Sequence, residues 1–199
     1  MSRPLRIGIY SGTFNPVHSG HVTFALQALQ TANLDKVYFL PERRPRYKQN
    51  VEHYGHRIAM IRQALHLHPK LDVLETDDVS FTVTRTLPRL ERRFTGAELV
   101  FLMGSDVSIH MSSWPNIELL LERSELAIGL RAGTSWHDVR LRLSALPATP
   151  RAVHVVESYA PHVSSKKVRQ GLRERRYVHG LLASVARYSN KNWLYVSLS

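Results

Sequence analysis

The sequence predicts an α/β protein with a doubly wound, mostly parallel sheet of the Rossmann-like type. Short, β-rich apolar runs alternate along the chain with segments whose apolar residues recur at helical spacing. Residues 98–103 form the most continuous apolar run, as expected of a central parallel strand that is covered on both faces. Right-handed crossovers join such strands, and ligands bind where the carboxyl ends of the strands meet.

Three strands are predicted in the first half of the chain, at residues 5–11, 36–41 and 71–75. The first strand ends at Gly12, and two helices follow from apolar residues on one face: Val22, Ala25, Leu26 and Leu29, then Ile58, Ile61 and Leu65. The order is therefore strand, loop, helix, repeated.

The second half continues the alternation, with strands predicted at residues 98–103, 125–130 and 152–156. The last helix is predicted at residues 180–187, and residues 43–50 and 145–151 are predicted as exposed loops. Because no linker or repeat interrupts the series, we expect residues 1–199 to form one domain, with a helical part at about 164–199 packed on the sheet.

Composition narrows the function without deciding it. Lys and Arg number 27 against 16 for Asp and Glu, a formal charge of +11 that predicts phosphate-rich partners. Nucleotides, nucleic acid and acidic lipid all satisfy that charge. Since the chain has no cysteine, disulfides, thiolate nucleophiles and cysteine-ligated zinc are excluded. No apolar run is long enough to span a membrane, and we expect a cytoplasmic protein.

The loop at residues 11–21 lies between the first strand and the first helix, where backbone amides and the helix dipole favour an anion. Its glycines match neither the P-loop nor the GxGxxG pattern, so this is a different phosphate chemistry from that of common ATPases or dehydrogenases.

Two histidines in this loop, His18 and His21, are three residues apart at a predicted helix start. Side chains at this spacing share a helix face, and two imidazoles there can hold one phosphate together. Phosphoryl and nucleotidyl transfer needs alignment and charge neutralisation more than covalent catalysis. Two alternatives remain open at this point: packing or surface histidines, and a zinc site, for which cysteines and an HExxH pattern are missing.

The run Gly12-Thr13-Phe14-Asn15-Pro16-x-His18-x-Gly20-His21 resembles the bacterial nicotinate mononucleotide adenylyltransferases, which belong to the HxGH nucleotidyltransferase superfamily. The resemblance covers nearly the whole chain, because further matches follow in family order: Phe39-Leu40-Pro41, Lys48, His56-Arg57, Ser80-Phe81-Thr82, Gly104-Ser105-Asp106, Trp114 and residues 164–169.

The resemblance implies roles for thirteen of the matched residues. The catalytic pair would be His18 and His21. The ATP-binding residues would be Gly12, Thr13, Phe14, Lys48, Gly104, Asp106, Ser164 and Arg169. The pyridine nucleotide would be bound by Asn15, Thr82 and Trp114. The chain departs from the family pattern at Ser11, where a glycine is usual, at Lys166, where a threonine is usual, and in a spacing one residue longer between Thr82 and Leu87.

The implied reaction joins AMP from ATP to nicotinate mononucleotide, giving deamido-NAD and pyrophosphate, with Mg²⁺ bound to the ATP. The implied partners are therefore ATP and a pyridine mononucleotide, and a homo-oligomer stays open. The close alternative uses nicotinamide mononucleotide, and a second uses phosphopantetheine or CTP. The charge of +11 also motivates a nucleic-acid-binding module, although no nucleic-acid motif is present.

Overall fold

The computed structural model describes residues 3–46, 48–157 and 162–196. Its strands are β1 (Arg6–Gly12), β2 (Lys36–Pro41), β3 (Leu71–Val73), β4 (Glu98–Gly104), β5 (Glu125–Leu130) and β6 (Val153–Glu157). Its helices are α1 (Ser19–Thr31), α2 (Tyr54–Leu65), α3 (Val83–Arg93), α4 (Ile117–Arg123), α5 (Trp136–Ser144), α6 (Ser165–Arg173) and α7 (Ala183–Lys191).

The six strands form one parallel sheet in the order β3-β2-β1-β4-β5-β6. The strand order reverses between β1 and β4, so the loops that leave these two neighbours diverge to opposite faces of the sheet. A crevice opens where they part, above the carboxyl ends of the central strands. The predicted fold class is confirmed.

Both faces of the sheet are covered, which explains the continuous apolar run of β4. Its residues alternate between two hydrophobic clusters: Val100 and Leu102 pack into one, Phe101 and Met103 into the other. The first cluster includes residues of α1, α2, α6 and α7, and the second includes residues of α3, α4 and α5. Burial on both sides makes these central strands a rigid platform for the loops at their ends.

The predicted strands agree with the structure to within one or two residues at each end. The bounds of β2 and β5 are those expected from the apolar runs at 36–41 and 125–130. The sheet-edge strand β3 is shorter than its predicted range, since it pairs only with β2, along three residues.

The prediction of the last helix at residues 180–187 is wrong in its boundaries, because α7 spans Ala183–Lys191. Gly180 has a φ of +93°, which a right-handed helix does not accommodate, and its carbonyl accepts a hydrogen bond of 2.9 Å from the Ser19 amide. This bond ties the segment before α7 to the start of α1.

The C-terminal helices contribute to the core on one face of the sheet, through Val168 and Leu172 of α6 and Val185 of α7. That the whole chain is one domain stays a prediction, and residues 197–199 of its helical part lie outside the described residues. In the part of the chain that the structure describes, no helix is both long and apolar enough to cross a membrane.

Candidate active site

A cleft of about 930 Å³ lies at the carboxyl end of the sheet, between the loops that follow β1 and β4. This volume is within the range of nucleotide-sized ligand pockets, about 300–1,000 Å³. The cleft is lined by eleven predicted site residues: Gly12, Thr13, Phe14, His18, His21, Lys48, Thr82, Gly104, Asp106, Trp114 and Ser164. The fold therefore brings together residues that are far apart in the sequence.

The two histidines stack at the start of α1. His18 is the N-cap residue, with extended backbone, and His21 lies in the first turn. Their ring centroids are 3.6 Å apart, and the ring planes differ by 23°. The two imidazoles therefore reach the cleft as one unit at a helix start, where the positive end of the helix dipole favours an anion.

A backbone hydrogen bond fixes the protonation of the second ring. The His18 amide donates to His21 Nδ1 over 3.2 Å, so Nδ1 carries no proton and a neutral His21 has its proton on Nε2. His18 Nδ1 is buried and has no hydrogen-bond partner among the described residues. A buried polar atom without a partner is costly, so a donor or acceptor that reached this nitrogen would be favoured.

Burial keeps both rings uncharged in the free protein. Desolvation, followed by the nearby Arg131 guanidinium, lowers the pKa of His18 to about 3. The pKa of His21 is well below its ordinary value, mainly through burial and then through the neighbouring His18. The ring of Phe14 meets the ring of His21 edge to face, with centroids 5.1 Å apart, and so shields it from water. Near neutral pH the pair consists of two neutral hydrogen-bonding groups.

Arg57 organises the loop that carries the histidines. Its side chain is fully buried in α2, and the guanidinium donates to the carbonyls of Thr13 and Glu42, each over 2.7 Å, and to that of Glu52 over 3.0 Å. One planar group thus joins the loop after β1 to the chain after β2. Arg57 belongs to the matched His56-Arg57 pair, for which the sequence predicted no role, although an arginine next to the apolar face of a helix can indicate a buried supporting residue.

Lys48 extends from the same second loop to the first. Its ammonium donates to Thr13 Oγ1 over 2.8 Å. This contact places a positive charge beside the loop of residues 11–21, and the binding of ATP by Lys48 stays a prediction.

Asn15 and Arg169 do not line the cleft. The Asn15 amide donates to the Asn50 carbonyl over 3.2 Å, and Asn15 Oδ1 accepts from the Glu52 amide over 3.2 Å and from the Tyr195 hydroxyl over 2.8 Å. The Arg169 guanidinium donates to the Asn15 carbonyl over 2.6 Å. In this structure both residues hold the loop in shape, and their contacts with nucleotides stay predictions.

At the end of β4, Gly104 and Asp106 form the opposite wall of the cleft. A Cβ at position 104 would lie 2.3 Å from Asp106 Oδ1, so only glycine lets the carboxylate approach. Asp106 makes no side-chain capping bond to the short 3₁₀ helix Val107–Ile109, and its Oδ1 instead accepts from Arg131 Nε over 3.2 Å. Arg131 directly follows β5 and was not predicted, although the rule that identified Asp106 after β4 applies to it as well.

Trp114 lies at the other end of the cleft, beside Phe81. Their ring centroids are 6.2 Å apart, and both side chains are partly exposed to the cleft. Thr82 is the N-cap residue of α3, so the first amides of that helix open into the same end of the cleft. Flat aromatic faces next to backbone donors suit a planar heterocycle with a polar substituent.

The start of α6 completes the cleft on the histidine side. Ser164 caps this helix by accepting from the Lys167 amide over 3.4 Å, and the Ser165 hydroxyl donates to the Pro16 carbonyl over 2.9 Å. Lys166, which departs from the family pattern, is exposed and is not part of the cleft wall.

No group of three or more His, Cys, Asp or Glu able to hold a metal ion occurs within residues 3–46, 48–157 and 162–196. The carboxylates that line the cleft are those of Glu42 and Asp106, and Asp106 is paired with Arg131. This donor set fits a divalent ion that enters with the phosphates of a nucleotide, since Mg²⁺ is commonly bound through phosphates and water.

Residues 9–171 match the model of the cytidylyltransferase-like family, and the chain belongs to this family. The match begins in β1 and ends in α6, so it includes the histidine loop and every wall of the cleft.

Among curated relatives, the probable nicotinate-nucleotide adenylyltransferases of Neisseria gonorrhoeae and Carboxydothermus hydrogenoformans are 30% and 34% identical to this chain. Each alignment covers 96% of this chain and 98% of the relative. The nicotinate-nucleotide adenylyltransferase of Bacillus subtilis is 29% identical, with 96% and 99% covered. The family resemblance inferred from the motifs is confirmed.

The fold is similar to that of a solved Plasmodium falciparum nicotinic acid mononucleotide adenylyltransferase complexed with NaAD. The TM-score is 0.79 at 18% sequence identity, and the alignment covers 98% of this chain and 100% of that one. The similarity supports the assignment of the six-stranded parallel fold.

Proposed function

We propose that this chain is a nicotinate-nucleotide adenylyltransferase, which joins AMP from ATP to nicotinate mononucleotide and releases pyrophosphate. The observation that carries the proposal is the stacked His18–His21 pair, 3.6 Å between ring centroids, at a helix start inside a two-ended cleft. The names of the curated relatives support the same reaction.

In this proposal the histidine end of the cleft binds the triphosphate of ATP. The Nε2–H of His21 and the ring of His18 bind its oxygens, together with the ammonium of Lys48, at the positive end of the α1 dipole. Asp106 accepts hydrogen bonds from the adenosine ribose, as a carboxylate at the carboxyl edge of such a sheet commonly does.

The pyridine nucleotide occupies the other end, with its ring against Trp114 and its substituent towards the start of α3. Its phosphate is largely dianionic near neutral pH, because the second pKa of a phosphate monoester is about 6. One of its oxygens attacks the α-phosphorus of ATP, the bond to the β-phosphate bridging oxygen breaks, and that oxygen leaves with pyrophosphate. No proton has to be removed from the nucleophile, so a general base is unnecessary.

The chain contributes alignment and charge to this step. A polyanion beside the rings favours protonation of His18, whereas His21, whose Nδ1 accepts from the His18 amide, donates from Nε2 as a neutral ring. Mg²⁺ is proposed to enter as the ATP complex and to neutralise the phosphate oxygens. Because the reaction consumes ATP, we propose that the protein acts in the cytoplasm.

The test is pyrophosphate release by the purified protein with Mg²⁺, ATP and either nicotinate or nicotinamide mononucleotide. We expect release with the nicotinate form and formation of deamido-NAD in equal amount. Replacing ATP by CTP, and the pyridine nucleotide by phosphopantetheine, tests the other transferases of similar chemistry. Release with neither pyridine nucleotide would overturn the proposal.

A further inference from the structure

Arg46 projects into the cleft at the end away from the histidines. It lines the same cavity as Phe81, Thr82 and Trp114, and its Nε donates to the hydroxyl of Ser80 over 3.2 Å. This bond orients the guanidinium at the segment that leads into α3. Its two terminal nitrogens have no acceptor among the residues that the structure describes.

The other charges of the cleft are already engaged. The Arg131 guanidinium pairs with Asp106, and the Lys48 ammonium is held at Thr13 near the histidine end. The Glu42 carboxylate accepts from the Phe81 amide over 3.3 Å. Within the described part of the chain, no carboxylate lies within 4.0 Å of the Arg46 guanidinium. At the end of the cleft lined by Trp114 and Thr82, the guanidinium of Arg46 is therefore a cation without an anionic partner among the described residues.

The start of α3 adds to this charge. Val83 and Thr84 line the cleft directly after the N-cap Thr82, and the first turn of the helix contains no acidic residue. The amides of this first turn therefore contribute a partial positive charge near Arg46 that no side chain of the helix itself offsets. Both features favour a substituent that carries a negative charge.

We propose that Arg46 is the residue that selects the acid form of the pyridine nucleotide over the amide form. The inference rests on the proposed function, in which the pyridine ring lies against Trp114. The carboxylate of nicotinate accepts two parallel hydrogen bonds from the terminal guanidinium nitrogens, a geometry that a planar guanidinium matches. The amide of nicotinamide is neutral and offers one acceptor oxygen, so it leaves part of the guanidinium without a partner.

The test compares kcat/KM for nicotinate and nicotinamide mononucleotide, at saturating Mg²⁺-ATP, in the wild type and in Arg46→Gln. We expect the ratio of the two values to fall roughly 10- to 100-fold in the variant, because one charge-assisted interaction is lost for the acid alone. Arg46→Lys keeps the charge without the planar fork and should retain part of the preference. Arg46→Glu should reverse its direction.

The matched control is Arg44→Gln, which removes the same charge from the same loop. The side chain of Arg44 is exposed and does not line the cleft, so the substrate ratio should stay at the wild-type value. Thermal melting of each variant shows whether it is folded, and the lysine variant provides the comparison should the glutamine variant not fold.

Three results would overturn the inference. An unchanged ratio of kcat/KM values in Arg46→Gln would mean that Arg46 does not distinguish the two substrates. If kcat/KM fell equally for both, Arg46 would act on the phosphate that they share. An equal change in Arg44→Gln would mean that only the overall loop charge matters. If the wild type released no pyrophosphate with either nucleotide, the proposed function itself would fail. This result differs from a failure of the Arg46 inference, in which the wild type is active and only the substrate ratio of the variants is unexpected.

Discussion

The hydroxyl of Tyr195 donates a hydrogen bond of 2.8 Å to Asn15 Oδ1, and so joins two residues that are 180 positions apart. Tyr195 is buried, and its partner lies three residues before His18. The end of the chain therefore holds the loop that carries the histidines.

Removing this hydroxyl in Tyr195→Phe should loosen the loop without opening a cavity. We expect the free energy of unfolding to fall by about 1 kcal/mol, the usual contribution of one hydrogen bond. We expect kcat to fall roughly tenfold, because a small displacement of positioned groups slows the chemical step. The control is Tyr188→Phe, which loses a similar bond of 3.1 Å to His56 Nδ1, away from the loop, and should keep its kcat. Equal losses of kcat in both variants would contradict this role of Tyr195.

The sequence predicted the elements well where burial decides them. The runs at 36–41 and 125–130 became strands with those bounds, because both faces of a parallel sheet must be apolar. The helix expected at 180–187 was misplaced, because apolar periodicity does not reveal that Gly180 adopts a positive φ to reach Ser19.

The motif predicted which residues line the cleft. It did not predict which residues hold the loop in shape through hydrogen bonds. His18 and Asp106 follow strands, where topology alone places them together. Asn15 belongs to the motif, yet its amide is used by Asn50, Glu52 and Tyr195, contacts that depend on the folding of distant segments. Membership of the motif therefore does not show whether a residue lines the cleft or holds the loop in shape.

Arg57 should be the most sensitive supporting residue. Its replacement in Arg57→Met leaves the carbonyls of Thr13, Glu42 and Glu52 without a buried donor. We expect a loss of about 3 kcal/mol or more in the free energy of unfolding, measured by urea denaturation. The control on the same helix is Arg62→Met, whose 2.6 Å ion pair with Glu75 is exposed and should contribute less than about 1 kcal/mol. Similar losses for the two variants would contradict the assignment.

Stability should fall as the pH falls below the ordinary pKa of histidine, 6.5. The folded-state pKa of His18, about 3, lies below that value, so between pH 6.5 and about 3 the unfolded chain binds a proton that the folded chain does not. The stabilisation is complete above pH 6.5 and is lost progressively as the pH falls through this window. His21 adds to the effect in the same direction.

The measurement is urea unfolding at pH 7 and pH 5 for the wild type and His18→Gln. We expect the wild type to lose up to about 2 kcal/mol through His18 over this interval, and the variant to lose correspondingly less. Equal losses in the two proteins would mean that His18 is not held neutral by burial.

Chelation of divalent metal should abolish turnover without affecting the fold. Because no group of three metal-binding side chains occurs in the described part of the chain, we expect EDTA to leave the melting temperature of the free protein unchanged. Added Mg²⁺ should restore pyrophosphate release in proportion to the Mg²⁺-ATP formed. A clear drop in melting temperature with EDTA would instead indicate a resident metal.

In the proposed reaction, the His18–His21 pair stabilises the charge that develops on the phosphates during nucleotidyl transfer. The most direct measurement is kcat for pyrophosphate release in His18→Ala, His21→Ala and the double variant, with ATP and nicotinate mononucleotide saturating and folding verified by circular dichroism. We predict that each single change lowers kcat roughly 10²- to 10³-fold, and that the double change lowers it by less than the product of the two, since the stacked rings act on one triphosphate. Folded single variants that retain the wild-type kcat would exclude the two histidines from the transfer step.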